Sequence, residues 1–144
     1  ENIKKMDFFR YLILYEYGGI YSDLDFIPNK KIPKKIFKNK NFVGYKANRD
    51  QNKNHNKDED GYWVLGQAFF ACKKKFVGIK LIIDNIINTR NSNLTPLNHT
   101  GPEKLNKLFS EAKLLNNKKV LIFSKKLMDN DKGIYGYHLR HHQW

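Results

Sequence analysis

Apolar side chains recur at Phe9, Leu12, Ile13 and Tyr17, with Met6 and Phe8 beside them. That spacing predicts a helix over 5–17, apolar enough to be buried on more than one face. Gly18-Gly19 is expected to end it, because glycine accepts the left-handed conformation at a helix C-terminus. The run Ile20–Ile27 is short, β-branched and aromatic, bounded by those glycines and Pro28, and reads as one strand. Residues 29–41 are lysine-rich, a surface connection holding a short helix around Pro33–Phe37. Phe42–Tyr45 reads as a brief strand, 46–60 as a polar, mobile loop, and Tyr62–Cys72 as a further strand. Phe76–Asn88 is dense in isoleucine and reads as a packed helix, followed by loop over 89–99. Thr100-Gly101-Pro102-Glu103 opens a helix to about Leu115, with Thr100 as cap and Glu103 completing a capping box. Val120–Phe123 is a short strand, and the tail from Gly133 gathers aromatics and histidines. Helices alternating with strands over 144 residues give one α/β or mixed α+β domain.

Charge narrows the partners. Lys and Arg total 27 against 14 Asp and Glu, a net charge of +13. Such a field favours polyanions: nucleic acid, an acidic membrane surface or phosphorylated small molecules. The positives are spread along the chain rather than gathered in an aromatic-interleaved stripe, so solvated surface charge is the plainer account. Cys72 is the sole cysteine, which excludes an intrachain disulfide and an all-cysteine zinc site; beside Phe70 and Ala71 it reads as a small core residue. No apolar run nears the roughly 20 residues that span a bilayer, and no signal peptide is visible. The expectation is a cytoplasmic location, with membrane association only through a segment beyond these residues. Glu1 opens directly inside a helical pattern, as in a processed chain or a fragment.

The candidate chemistry lies in Ile20–Ile27. In a strand, Tyr21, Asp23, Asp25 and Ile27 share one face, with the two aspartate Cα atoms about 7 Å apart. A divalent cation with oxygen ligands fits between two such carboxylates and leaves positions for the phosphates of a nucleoside diphosphate; Mg²⁺ and Mn²⁺ both suit it. Asp-x-Asp alone is a weak signal. Inside an otherwise hydrophobic strand, however, two carboxylates are costly unless a cation neutralises them. Asp7 and Arg10 lie three apart on the preceding helix, either a plain ion pair or an arginine aimed at phosphate or a sugar hydroxyl.

The segment DFFRYLILYEYGGIYSDLDF (Asp7–Phe26) closely resembles the signature of the DXD-containing sugar-binding glycosyltransferases. That family includes fungal initiating α-1,6-mannosyltransferases, sphingolipid mannosyltransferases, α-1,4-galactosyltransferases and capsular-polysaccharide enzymes. Glycosylating bacterial toxins share the same helix–Gly-Gly–strand pattern. The resemblance implies a GT-A-type α/β fold, a mixed sheet with flanking helices, in which residues 1–144 form a single catalytic domain or its C-terminal portion. The family's usual N-terminal nucleotide-binding region has no counterpart among these residues. The resemblance further implies that Asp7 and Arg10 contact donor sugar and nucleotide, and that Tyr21 lies beside the nucleotide. Asp23 would bind ribose or sugar hydroxyls and reach the metal through water, and Asp25 would bind the metal directly.

GQAFFACKKKF (Gly66–Phe76) resembles the family's acceptor-side strand, with Gln67 where asparagine is more usual. NHTGPEKL (Asn98–Leu105) resembles its Thr-Gly-Pro helix start, whose backbone N–H groups, Gly101 among them, face the site. The tail YGYHLRHHQW (Tyr135–Trp144) resembles a C-terminal segment that closes over the donor. From it, His142 or His141 would complete the metal's coordination and Trp144 would pack on nucleotide or sugar.

The implied activity is metal-dependent, retaining transfer of a hexose from a UDP- or GDP-linked donor to a hydroxyl of a glycan, lipid or protein, with Mn²⁺ or Mg²⁺ as cofactor. No nucleic acid partner is expected. Two other readings compete: a non-catalytic module binding nucleotide sugar or glycan, and a basic nucleic-acid-binding protein. A paired-carboxylate glycosidase is disfavoured, because aspartates two apart on one strand are too closely tied to flank a scissile bond.

Overall fold

The computed structural model describes residues 2–49, 55–59, 61–128 and 132–139. Its main sheet carries strands in the order β1 (Gly19–Ser22), β6 (Phe69–Cys72), β3 (Phe42–Asn48), β5 (Gly61–Leu65) and β4 (Asn56–Asp58). These pair antiparallel, and β7 (Val120–Phe123) joins β3 in parallel, from Phe42 opposite Val120 to Tyr45 opposite Phe123. A separate two-stranded ribbon pairs β2 (Phe26–Pro28) with β8 (Gly136–His138). The helices are α1 (Asn2–Tyr17), α2 (Lys34–Lys38), α3 (Val77–Asn88), α4 (Pro96–His99) and α5 (Pro102–Glu111). This is a mixed sheet with flanking helices, as the sequence implied. No helix among the described residues is long and apolar enough to cross a membrane.

Strand alternation sorts the core into two layers. Phe42, Leu65, Phe70 and Cys72 point into a layer filled by Tyr11 and Leu14 of α1, isoleucines of α3, and Leu105 and Phe109 of α5. Their neighbours Val43, Val64, Phe69 and Ala71 point the other way, onto Phe26, Phe123 and Met128. The ring of Phe42 meets those of Phe70, Phe76 and Phe109 at 4.7–5.9 Å between centroids, and contacts of this kind add about 0.5–1.5 kcal/mol each beyond area burial.

Several expected elements are revised. Of α1 only Asp7, Tyr11 and Leu14 are buried, one stripe at i, i+4 and i+7, while Met6, Phe9, Ile13 and Tyr17 are 48–78% exposed. Burial on more than one face does not hold. Abundant apolar residues set hydrophobicity, but the neighbours decide which face is covered. Gly18 ends the helix as expected, its N–H donating to the Leu14 carbonyl at 2.8 Å with φ +69°.

The single strand Ile20–Ile27 is instead β1 and β2, separated by a turn in which the Phe26 N–H reaches the Asp23 carbonyl at 3.2 Å. Tyr62–Cys72 also divides. At Gly66 the backbone presses on the Tyr45 ring so closely that a Cβ would lie 2.1 Å from it, and the chain crosses there from β5 to β6.

The expected loop 46–60 contains the end of β3 and all of β4. Asn56 donates to Asn106 at 2.7 Å, Lys46 pairs with Asp58 at 2.7 Å, and the Trp63 indole donates to Asp58 at 2.8 Å. Residues 50–54 and 60 of that stretch lie outside the described residues; Lys46, Asn56 and Asp58 bond across β3, β4, β5 and α5.

The region 89–99 includes α4, capped by Thr95. Gly101, not Thr100, occupies the cap of α5, so no capping box forms; Glu103 instead meets His55 at 3.1 Å and Arg49 at 3.4 Å. The helix stops at Glu111, followed by a left-handed Lys113 and a 3₁₀ turn over Leu114–Asn116. In the tail, Gly136–His138 is a strand.

Candidate metal and donor site

Burial of one face of α1 carries Asp7, Arg10 and Tyr11 against the crossover between β5 and β6 and the junction of α4 with α5. Asp7 is 5% exposed and Thr100 1%. Thr100 Oγ1 donates to Asp7 at 2.8 Å, and Arg10 pairs with the other Asp7 oxygen at 2.8 Å. Burial pushes the Asp7 carboxyl above its usual range, against the pull of Arg10 and the Thr100 hydrogen bond.

Gln67 fills the centre of the network. Its amide donates to the Tyr11 hydroxyl and, at 2.8 Å, to the Thr100 carbonyl, which also accepts from Tyr11 at 3.0 Å. Its own backbone carbonyl accepts from Arg10 at 3.1 Å. Burial drives the Tyr11 phenol well above its usual range, so it stays a hydrogen-bond donor.

This network aims Arg10 at the DXD turn. The guanidinium carbon lies 4.5 Å from the centroid of the Tyr21 ring, and one nitrogen is 3.5 Å from Asp23. Tyr21 donates to that same Asp23 oxygen at 2.6 Å, with burial and the neighbouring Asp23 holding its phenol protonated. The Asp23 N–H donates to the Ala68 carbonyl at 2.7 Å. Asp23 is thus tied to β1, to the β5–β6 crossover and to α1.

Asp25 belongs to the other sheet. Its carbonyl accepts from the Leu139 N–H at 3.0 Å, and its carboxylate meets His138 Nε2 at 3.0 Å. His138 stands opposite Phe26 in the ribbon register. The turn between β1 and β2 therefore does what one strand would not. It draws the carboxylates of Asp23 and Asp25 and the imidazole of His138 together, with one ligand atom from each lying within 4.8 Å of the others. All three side chains are about a quarter exposed. Leu24, at the tip between them, is fully exposed.

Two carboxylates and an imidazole form a donor set suited to a divalent cation, and the nitrogen favours a first-row transition ion such as Mn²⁺ over Mg²⁺.

Of the residues singled out from sequence, Asp7, Arg10, Tyr21, Asp23 and Asp25 converge on one locus. Gln67 stands beside them, its amide N–H groups donating to Tyr11 and Thr100. The Gly101 N–H is likewise spent, donating to the Pro96 carbonyl at 2.8 Å, so it is not held ready for phosphate. Glycine is required at that point because a Cβ would lie 2.8 Å from the Leu97 Cα. His141, His142 and Trp144 lie outside the described residues. His138, Tyr11 and Thr100 were missed as site residues; for His138 the available signal was its place in the histidine-rich tail, whose register against Phe26 sequence does not give.

The family described as glycosyltransferase sugar-binding region containing DXD motif matches residues 1–43, the segment that carries Asp7, Arg10, Tyr21, Asp23 and Asp25. Among solved structures, the fold is similar to that of the PaToxG glycosyltransferase, with a TM-score of 0.53 and 19% identity over 78% of this chain. The chain spans 38% of the length of that protein. No curated protein sequence matches. The chain thus has a fold similar to that of a glycosyltransferase, and its first 43 residues match the model of the DXD sugar-binding region.

Proposed function

We propose that this domain transfers a hexose from a nucleotide diphosphate sugar to an acceptor hydroxyl, in a GT-A-type arrangement with Asp23, Asp25 and His138 as the cation site. The carrying observation is the convergence of three ligand groups within 4.8 Å beside an arginine whose side chain is 11% exposed. A divalent cation at these residues would supply Lewis-acid stabilisation of the departing diphosphate. Asp23, already engaged by Tyr21 and Arg10, is suited to an outer role toward the cation or a sugar hydroxyl. Asp25, tied among the described residues to His138 and Leu139, is suited to direct ligation.

Arg10 is held in a fixed fork by Asp7 and Gln67, an orientation prepared before the reaction for negative charge on the leaving group. Its Nε has no hydrogen-bond partner among the described residues. Tyr21 presents a protonated phenol beside it. No described carboxylate other than those of the cation site and the Arg10 pair adjoins the locus, which favours retention through a front-face path guided by the leaving phosphate. The donor would be UDP- or GDP-linked, and the acceptor a glycan, lipid or protein hydroxyl.

A thermal-shift titration with UDP and GDP, each with and without Mn²⁺, tests this reading. At ligand about 100-fold above Kd, binding stabilises the fold by ~2.7 kcal/mol, and that gain should require the metal and vanish in Asp25→Asn. A gain independent of metal would refute the site. Metal-dependent binding without release of hexose from UDP- or GDP-hexoses would leave a binding module and refute transfer.

A further inference from the structure

Behind the DXD turn lies an open cleft of about 500 Å³, within the usual range of ligand-binding pockets. Its floor is Phe26 and Phe69, only 7% and 6% exposed, stacked with ring centroids 5.2 Å apart. Ile20, Ile32 and Phe37 wall it, and Lys30 and Lys31 stand at its rim, both exposed. Neither lysine has an acidic partner among the described residues. Ile20 and Ser22 project on the strand face opposite Tyr21, so the cleft is distinct from the cation site.

The lining decides the ligand class. Among the described lining residues, Ser22, Asn29 and Tyr135 carry the uncharged polar groups, and the Asn29 amide already donates to the Gly133 carbonyl at 2.9 Å. A sugar, with a hydroxyl on nearly every carbon, would leave most of them unpaired. A stacked base needs an exposed ring face, whereas the floor rings here are recessed. An alkyl chain loses nothing on this lining and gains about 0.8 kcal/mol for each methylene it buries. Two exposed ammonium groups at one rim, without an acidic partner among the described residues, supply the complement to a phosphate or similar anion.

We propose that this cleft binds a single-chain amphiphile with an anionic headgroup, its apolar chain on Phe26, Phe69 and Ile20 and its anion against Lys30 and Lys31. Ser22 and Phe26 bracket Asp23–Asp25 in the chain, so a bound amphiphile loads onto the turn that carries the two carboxylates. The inference does not depend on glycosyl transfer.

The test is calorimetric titration of the full chain with dodecyl phosphate below its micellar concentration, with dodecyl maltoside and butyl phosphate as neutral-head and chainless probes. Saturable one-to-one binding of dodecyl phosphate is expected, at least 10-fold tighter than either comparator. The double variant Lys30→Glu/Lys31→Glu should weaken it at least 10-fold, as should Ile20→Asn at a position already exposed. Lys118→Glu/Lys119→Glu, away from the cleft, and Phe9→Ser, on the exposed apolar side of α1, should leave it within twofold. Equal binding of the neutral amphiphile, equal loss in the remote lysine variant, or loss that follows Phe9 rather than Ile20 would overturn the proposal. Asp25→Asn should bind dodecyl phosphate normally, so failure of the transfer reading and failure of this one are separable.

Discussion

The two aspartates of the DXD turn are held in opposite ways. Asp23 is fixed to the main sheet by Ala68 and Tyr21 and to α1 by Arg10, and behind Arg10 stands the buried set Asp7, Tyr11, Gln67 and Thr100. Asp25 is fixed to a two-stranded ribbon by Leu139 and His138, with a quarter of each side chain in solvent. A two-stranded ribbon gains little from its own pairing and this one rests on the core through Phe26, whereas a buried hydrogen-bond network is rigid and costly to break. One site thus joins a stiff half, suited to orienting a ligand, to a yielding half, suited to admitting and releasing a cation.

The stiff half can be probed without touching the site. Cys72 lies beneath it, its thiol 3.6 Å from the Leu14 carbonyl, and burial pushes the thiol up to about 12 from 9.0. At pH 8 the native thiolate fraction is then about 1,000-fold below that of the unfolded chain, and labelling with a disulfide reagent should slow at least that much. Because the folded value is raised, the associated stability is full below pH 9 and is lost as pH rises towards 12. Rapid native labelling at pH 8 would mean that this layer is open.

Next in size is Arg10→Ala, which leaves Asp7 buried without its cation. Breaking such a pair costs about 3–5 kcal/mol, measurable by urea denaturation, and Asp7→Asn in the same chain should restore part of it. A loss under about 1 kcal/mol would show that the pair is not structural. Tyr11→Phe removes one hydroxyl from the network and should cost about 1–3 kcal/mol. In the yielding half, His138→Gln should change stability by less than about 1 kcal/mol, as expected for a part-exposed pair. If His138→Gln destabilised the fold more than Tyr11→Phe, the contrast between the halves would be wrong.

Local chemistry was legible in the sequence where it depended on near neighbours. The isoleucine spacing gave α3, Val120–Phe123 was a strand, Gly18 ended α1, and the DXD segment marked the locus. What escaped depended on distant residues or on a change of sheet. Period-two reasoning carried Ile20–Ile27 through as one strand, because nothing local to it announces that β1 pairs with β6 while β2 pairs with β8. Thr100 reads as a helix cap until Asp7, 93 positions away, competes for its hydroxyl. Nor does the sequence show that the Gln67 amide nitrogen donates to Tyr11 and Thr100, 56 and 33 positions away. The polar stretch around Asn56 looked like a loop because its partners, Asn106 and Glu103, lie on a helix some 50 residues on.

The account rests on His138 joining Asp23 and Asp25 at one cation. Pulsed electron paramagnetic resonance of the Mn²⁺-loaded protein reads this directly, because a ligating imidazole imprints a ¹⁴N modulation on the manganese signal. The wild-type chain, His141→Gln and His142→Gln should all show the modulation. His138→Gln should lose it, with Mn²⁺ affinity falling at least about 10-fold, and Asp25→Asn should lose bound Mn²⁺ altogether. Persistence of the ¹⁴N modulation in His138→Gln, or unchanged Mn²⁺ binding in Asp25→Asn, would contradict it.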